Sequence, residues 1–216
     1  MTDLFAFDVN DGLASGRCPL CHAAQADFER WIDSFWREGR KDPAARRRFY
    51  DGGGFCARHA WLLHDRIADH GKSGAPIADL YGALADRDLA ELERGVPQRH
   101  GPCSACVAES EALERKTHFL LELLSSPTGR ERYERSQGLC FRHLASAVER
   151  CEKDRRMRGY LIAEWRNRLS DVRARLEEFD RKRDHRFAAE MGEDDRQAWS
   201  DVIRRYAGER ELPRQP

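Results

Sequence analysis

Six of the seven cysteines fall into one pattern that occurs twice. The first copy is Cys18-x-x-Cys21 followed by Cys56-x-x-His59, and the second is Cys103-x-x-Cys106 followed by Cys140-x-x-His143. Cys56 lies 35 positions after Cys21, and Cys140 lies 34 after Cys106. The flanks repeat as well. Gly54-Phe55-Cys56-Ala57-Arg58-His59 matches Gly138-Leu139-Cys140-Phe141-Arg142-His143, and Asp42-Pro43 and Ser126-Pro127 each open a short polar segment ahead of it. A pattern that recurs with its flanks at a nearly fixed distance is an internal duplication, here of residues 18–95 and 103–180.

The stretch CPLCH, residues 18–22, fits haem attachment, a thiol redox pair or half of a metal site. Haem attachment requires the histidine after the second cysteine, and the second copy has Val107 where the first has His22. His22 then reads as a surface residue at a helix start. A redox pair needs neither a third cysteine nor a histidine at a repeated distance. Two Cys3His metal sites account for all eight residues: Cys18, Cys21, Cys56 and His59 in one repeat, and Cys103, Cys106, Cys140 and His143 in the other. That ligand set holds structural zinc. C-x-x-C turns two thiolates toward one point, with Pro19 and Pro102 restricting the turn. A cysteine and a histidine three apart share a helix face. Gly54 and Gly138 can break the chain just before that helix, whose N-terminus favours a thiolate. The expected cofactors are two Zn2+ ions, with iron–sulfur clusters as the alternative. Cys151 has no counterpart in the other copy and reads as a buried thiol.

Between the ligands the apolar spacing is helical throughout, with no strand alternation. Residues 22–39 carry Phe28, Trp31, Ile32, Phe35 and Trp36 at three-to-four spacing. Asp42-Pro43 supplies an N-cap and a first-turn proline for a short helix ending near DGGG. Residues 56–69 bear Ala60, Leu63 and Ile67, and a helix opened by Pro76 bears Leu80, Leu84 and Leu92. In the second copy, helices are expected over 106–125, from Cys140 onward, and over 157–183, with 127–136 short and polar. The predicted fold is all-α: a duplicated helical bundle, each repeat stapled by a Cys3His metal site, plus a C-terminal helical extension. The expected divisions are an N-terminal segment 1–17, repeats 18–95 and 103–180, a linker 96–102 and an extension 181–216.

Positive and negative side chains balance at 38 each in 216 residues. That disfavours a general nucleic-acid or membrane binder, although Arg46 to Arg48 and Arg155, Arg156 and Arg158 form local basic clusters. No apolar run approaches the ~20 residues that span a bilayer, and the N-terminal residues lack the basic start of a secretory leader. A cytoplasmic protein is expected, in which paired cysteines more often bind metal than form structural disulfides.

The extension has no partner in the first copy. Arg183, His185 and Arg186 leave the long helix, and an acidic stretch with Glu193 leads to a helix bearing Trp199, Val202, Ile203 and Tyr206. Two readings stand. One is a clasp that docks Phe187 and Trp199 on the bundle, with Arg183 or Arg186 paired to Glu193 or Asp194. The other is a ligand-binding pocket built from Arg183, His185, Arg186, Glu193 and Trp199.

CPLC, GFCARH, CSAC and GLCFRH, followed by KRDHRF and GEDDRQAW, resemble a prokaryotic family known as domain of unknown function 6062, over nearly the whole chain. The family's ending usually reads K-H-D-Y-R-F; here Arg183 stands where histidine is common and His185 where tyrosine is common. The resemblance implies a helical metal-binding protein with cysteine ligands and brings no established reaction. Closed four-ligand sites leave no coordination position for a substrate. The leading expectation is therefore a metal-stabilised interaction or scaffold module with a protein partner, not an enzyme. The alternative is an enzyme or ligand-binding protein that uses iron–sulfur clusters or the C-terminal pocket.

Overall fold

The structure is a computed structural model that describes residues 4–69, 73–93, 95–96 and 101–209. Positions 97–100 of the expected linker lie outside the described residues, as do 1–3 and 210–216 of the two terminal segments. Among the described residues there are ten α-helices and no strand. They are α1 (Leu4–Ala14), α2 (Pro19–Ser34), α3 (Pro43–Asp51), α4 (Ala57–Asp69), α5 (Ala75–Leu92), α6 (Ser104–Leu124), α7 (Pro127–Arg135), α8 (Phe141–Arg150), α9 (Arg155–Lys182) and α10 (Glu193–Ala207). No helix among the described residues is long and apolar enough to cross a membrane.

Local chemistry sets most of the boundaries. Asp42 caps α3 by accepting hydrogen bonds from Ala44 N and Ala45 N, and Ser126 caps α7 by accepting from Gly129 N, each with proline in the first turn. The segment 127–136, read as short and polar, is thus a helix. Asp154 caps α9 in the same way. In α10 three acidic residues fill the first turn and two arginines the last, matching the helix dipole. The helix expected over 22–39 runs regularly only to Ser34. A π-helical turn, Phe35–Gly39, then carries Arg40 N to Phe35 O at 2.9 Å, and Phe35 is left buried.

The chain divides into two compact units that cut across the sequence repeats. One is Met1–Ala23 with Leu113–Pro216, the other Ala24–Ala112, and the divisions fall inside α2 and α6. The Ala24–Ala112 unit has an aromatic core. Phe49 is fully buried and meets Phe55 and Tyr81 edge-on at centroid distances of 5.0 and 5.2 Å, while Phe35 meets Phe55 at 5.2 Å.

The other unit has an aliphatic core that includes Val9, Leu13, Leu20, Leu120, Leu124 and Leu161, with Cys151 packed among them as expected. Each fully buried leucine contributes about 2 kcal/mol from removal of its side chain from water. Helix α1, where the sequence reading placed no element, belongs to this core through Val9 and Leu13. It also buries Asp8, whose Oδ2 accepts a 2.7 Å hydrogen bond from Lys116 Nζ. Lys116 is itself fully buried and donates to Ala23 O at 2.6 Å. In the same unit α10 packs on α9 and α8.

Candidate metal centres

All eight expected ligands converge into two groups of four, but the groups exchange partners between the repeats. Cys18 and Cys21 meet Cys140 and His143, and Cys103 and Cys106 meet Cys56 and His59. The expectation that each repeat closes its own site is therefore corrected. The C-x-x-C turn of one copy faces the C-x-x-H turn of the other. Each group lies within a single compact unit, so the exchange is built into the units themselves.

The local geometry explains why these turns serve as ligands. Cys18 and Cys103 sit just ahead of α2 and α6, and their carbonyls accept from His22 N and Val107 N, so Cys21 and Cys106 fall in the first helical turn. Cys56 and Cys140 stand ahead of α4 and α8, with His59 and His143 one turn on. Gly54 (φ +86°) and Gly138 (φ +72°) supply the left-handed residue that turns the chain into each C-x-x-H helix. Each centre is thus placed at two helix N-termini, where the backbone dipoles favour thiolate. Cys140 N also donates to Cys18 Sγ at 3.4 Å.

The distances describe cages of single-ion size. In the first centre His143 Nδ1 lies 3.4 Å from the sulfurs of Cys18, Cys21 and Cys140, and Cys21 Sγ lies 3.8 Å from Cys140 Sγ. In the second, His59 Nδ1 lies 3.3, 3.6 and 3.3 Å from Cys56, Cys103 and Cys106, and Cys56 Sγ lies 3.7 Å from Cys106 Sγ. A tetrahedral ion with Zn–S of about 2.3 Å and Zn–N of about 2.0 Å requires S···S of about 3.8 Å and S···N of about 3.5 Å. No cysteine of the chain is in a disulfide.

Crowding of the thiols spreads their proton affinities when no ion is held. In the Cys18 centre burial pushes the Cys18 thiol well up, a hydrogen bond with Cys140 raises Cys21 to about 11, and hydrogen bonds from Cys18 and Cys21 pull Cys140 down. In the Cys56 centre burial pushes Cys103 up, but His59 and nearby backbone N–H groups outweigh it and bring the thiol to about 6. Burial and the neighbouring Cys56 raise Cys106 to about 12. Cys140 and Cys103 are therefore readily ionised, and an incoming cation displaces the protons held by Cys18, Cys21 and Cys106.

The surroundings of the two centres differ. His59 Nε2 lies 3.6 Å from Glu109 Oε2, and Glu109 is held by both Nη atoms of Arg58 at 2.5 and 2.7 Å. Burial opposes ionisation of Glu109, but Arg58 and His59 prevail and hold it at about 2, so an ionised carboxylate lies near the ligand imidazole, whose Nε2 is closer to Arg58 Nη1 at 3.2 Å. His143 Nε2 is buried and has no hydrogen-bond partner among the described residues. The Cys18 centre is closed instead by Gly208 and Glu209, just after α10. Gly208 has φ +85° and ψ −170°, and a Cβ placed on it would come within 3.1 Å of Cys21 Sγ and 3.4 Å of Cys140 Sγ. Glu209 Oε1 accepts from Cys18 N at 3.4 Å and its Oε2 pairs with Arg17, while buried Arg205 donates to Gln137 O at 2.7 Å. The sequence offered partial signals for these helpers. Arg58 sits in the repeated C-x-R-H, and Glu109 lies one turn beyond Cys106.

The five tail residues offered as a pocket are exposed: Arg183, His185, Arg186, Glu193 and Trp199 all lie at the surface. The ion pairs expected between Arg183 or Arg186 and Glu193 or Asp194 are replaced by shorter-range ones, Arg183 with Asp180 and Arg186 with Asp184. His185 faces Asp184, and Glu193 accepts from Gln197. Trp199 is 53% exposed, so the clasp is made by Arg205, Gly208 and Glu209 and by the Lys182–Asp195 pair at 2.8 Å. A cavity of about 660 Å³ is present in the Ala24–Ala112 unit, where Trp31, Phe35, Arg48, Asp51 and Ser104 line it, and it includes none of the five. His22, read as a surface residue, is only half-buried and is held by Asp11 at 2.7 Å, outside either cage.

The chain matches no protein-family model, and no significant match is found among curated proteins or solved structures.

Proposed function

We propose that the chain is a two-zinc helical module in which both ions are structural staples. It acts as an interaction or scaffold module, not as a metal-dependent catalyst. The observation that carries this reading is the position of each histidine Nδ1, 3.3–3.6 Å from three sulfurs at once. Three thiolates and one imidazole complete a tetrahedral zinc shell and leave no position for a substrate. Thiolate-rich sets also select against magnesium and calcium, which take oxygen ligands. An iron–sulfur core spreads its four protein ligands over two or more irons. Here every donor of a group lies within 4.8 Å of the others, which favours one ion per cage. A cytoplasmic location, a protein partner and membership of the domain of unknown function 6062 family belong to the same proposal. The family assignment is supported by the motifs alone.

Structural zinc couples about 10–16 kcal/mol of binding to folding, against a total domain stability of about 5–15 kcal/mol. Elemental analysis of untagged protein, purified with and without oxygen, tests the reading. Two zinc per chain, a colourless protein and unfolding on chelation are expected. Brown protein with iron in place of zinc would move the assignment to the cluster alternative.

A further inference from the structure

The two cages share their ligands but not their cover. In the first cage only one cysteine, Cys21, is partly exposed, with its sulfur beside Gly208, while Cys18 and Cys140 are 3% and 1% exposed. In the other cage Cys56, Cys103 and Cys106 are all partly exposed, and only His59 is buried. Its neighbours Arg58 and Glu109 support the histidine from behind and remain partly exposed themselves. Thiolate oxidation follows thiolate character and access. The ligand chemistry is the same in both cages, so access decides between them.

We propose that the Cys56–His59–Cys103–Cys106 centre is a site of oxidative modification by hydrogen peroxide. Oxidation there joins Cys56 to Cys106 and releases the ion, while the Cys18 centre stays reduced and loaded. The proposal rests on the zinc reading above. The sulfurs of Cys56 and Cys106 lie 3.7 Å apart, so one can reach the other by a short local movement. In the first step the Cys106 thiolate, deprotonated because it is a ligand of the ion, attacks the near oxygen of hydrogen peroxide. The O–O bond breaks, hydroxide leaves, and the sulfur becomes a sulfenic acid. In the second step the Cys56 thiolate attacks that sulfur. The S–S bond forms, the S–O bond breaks, and a second hydroxide leaves. The two sulfurs lose two electrons and the peroxide gains them; two protons from solvent convert both hydroxides to water. Zinc is not oxidised or reduced. It departs because Cys103 and His59 alone cannot complete a tetrahedral shell. A dithiol reductant with added zinc reverses the change.

The experiment uses the zinc-loaded full chain and its two centres as mutual controls. Zinc per chain is measured first. Hydrogen peroxide is then added in small excess, released zinc is followed with a chromogenic chelator, and all seven thiols are mapped over time by differential alkylation and mass spectrometry. The expected result is loss of one of the two zinc ions, together with a Cys56–Cys106 disulfide and unmodified Cys18, Cys21 and Cys140. The proposal is overturned if both ions leave together, if the Cys18 centre reacts first, if neither reacts, or if the Cys56-centre thiols overoxidise without forming a disulfide. Fewer than two zinc ions before peroxide would count against the zinc reading. The thiol map would still decide the proposal by showing which cysteines oxidise first.

Discussion

Cys21 and Cys140 lie 119 positions apart in the chain, and their sulfurs lie 3.8 Å apart. That contact joins the C-x-x-C turn of the first motif set to the C-x-x-H turn of the second. On the two-zinc proposal, ligand pairing can be tested with double substitutions, because two losses in one cage would remove one ion and two losses in different cages would remove both. Cys18→Ser with Cys140→Ser should leave one zinc per chain. Cys18→Ser with Cys56→Ser should leave none and give an unfolded protein, since each structural zinc couples about 10–16 kcal/mol to folding. Pairing within each repeat reverses the two results, so zinc counts and circular dichroism on the two double variants decide the matter.

Gly208 holds a backbone region that is essentially open to glycine alone, and its missing side chain is what lets the backbone after α10 lie against Cys21 and Cys140. Gly208→Ala should cost about 1–3 kcal/mol through that strain. It should also lift the cover from the Cys18 cage. A lower melting temperature together with faster stripping of the Cys18-centre ion by chelator is expected. An unchanged stripping rate would mean that Gly208 fits the site without shielding it.

Most of this helical architecture is legible in the amino-acid sequence, and the reason is local. The cap Asp42, the first-turn prolines and the three-to-four apolar spacing act within a few residues. The identities of the eight ligands were legible for the same reason, since C-x-x-C and C-x-x-H are each one turn long. Which turn meets which was not legible. Spacings of 35 and 34 between the paired motifs suit either partner, and tertiary packing alone selects. The same limit hid α1, whose Asp8 looks like a solvent residue until Lys116, 108 positions away, supplies its counter-charge. It also hid the role of Gly208, because a glycine in a polar tail gives no sign of the sulfurs beside it.

The Asp8–Lys116 pair gives a third test. Both side chains are almost completely buried. Removing one partner leaves a buried charge with its main counter-charge gone, at a cost of about 3–5 kcal/mol. Lys116→Ala should therefore destabilise strongly in urea titrations of the zinc-loaded protein. Asp8→Asn combined with Lys116→Met stays close in volume and removes both charges, and should be less harmful than Lys116→Ala. Additive losses in the double variant would show that the pair is not coupled.

Tyr133 predicts the response to alkali. Its ring is 1% exposed and its hydroxyl oxygen accepts from Leu139 N at 3.2 Å. Burial raises its ionisation to about 12 from an ordinary 10, against the opposing pull of Leu139 N–H and Arg168. The folded chain therefore holds this proton where the unfolded chain has already released it. Stability from this residue is complete below pH 10, falls between pH 10 and 12, and is lost above, by about 3 kcal/mol in all. Tyr160 is also pushed upward, first by burial and then by Glu134, and adds a loss of the same sign. Tyr133→Phe should thus lessen the alkaline fall without abolishing it. At neutral pH the same change leaves the buried Leu139 N–H without its acceptor and should cost about 1–3 kcal/mol. Urea unfolding curves at pH 8, 10 and 11.5 for both proteins separate the two effects. A variant that is weaker at pH 8 but loses less between pH 10 and 11.5 is the expected outcome, and parallel losses in the two proteins would show that Tyr133 does not titrate in this window.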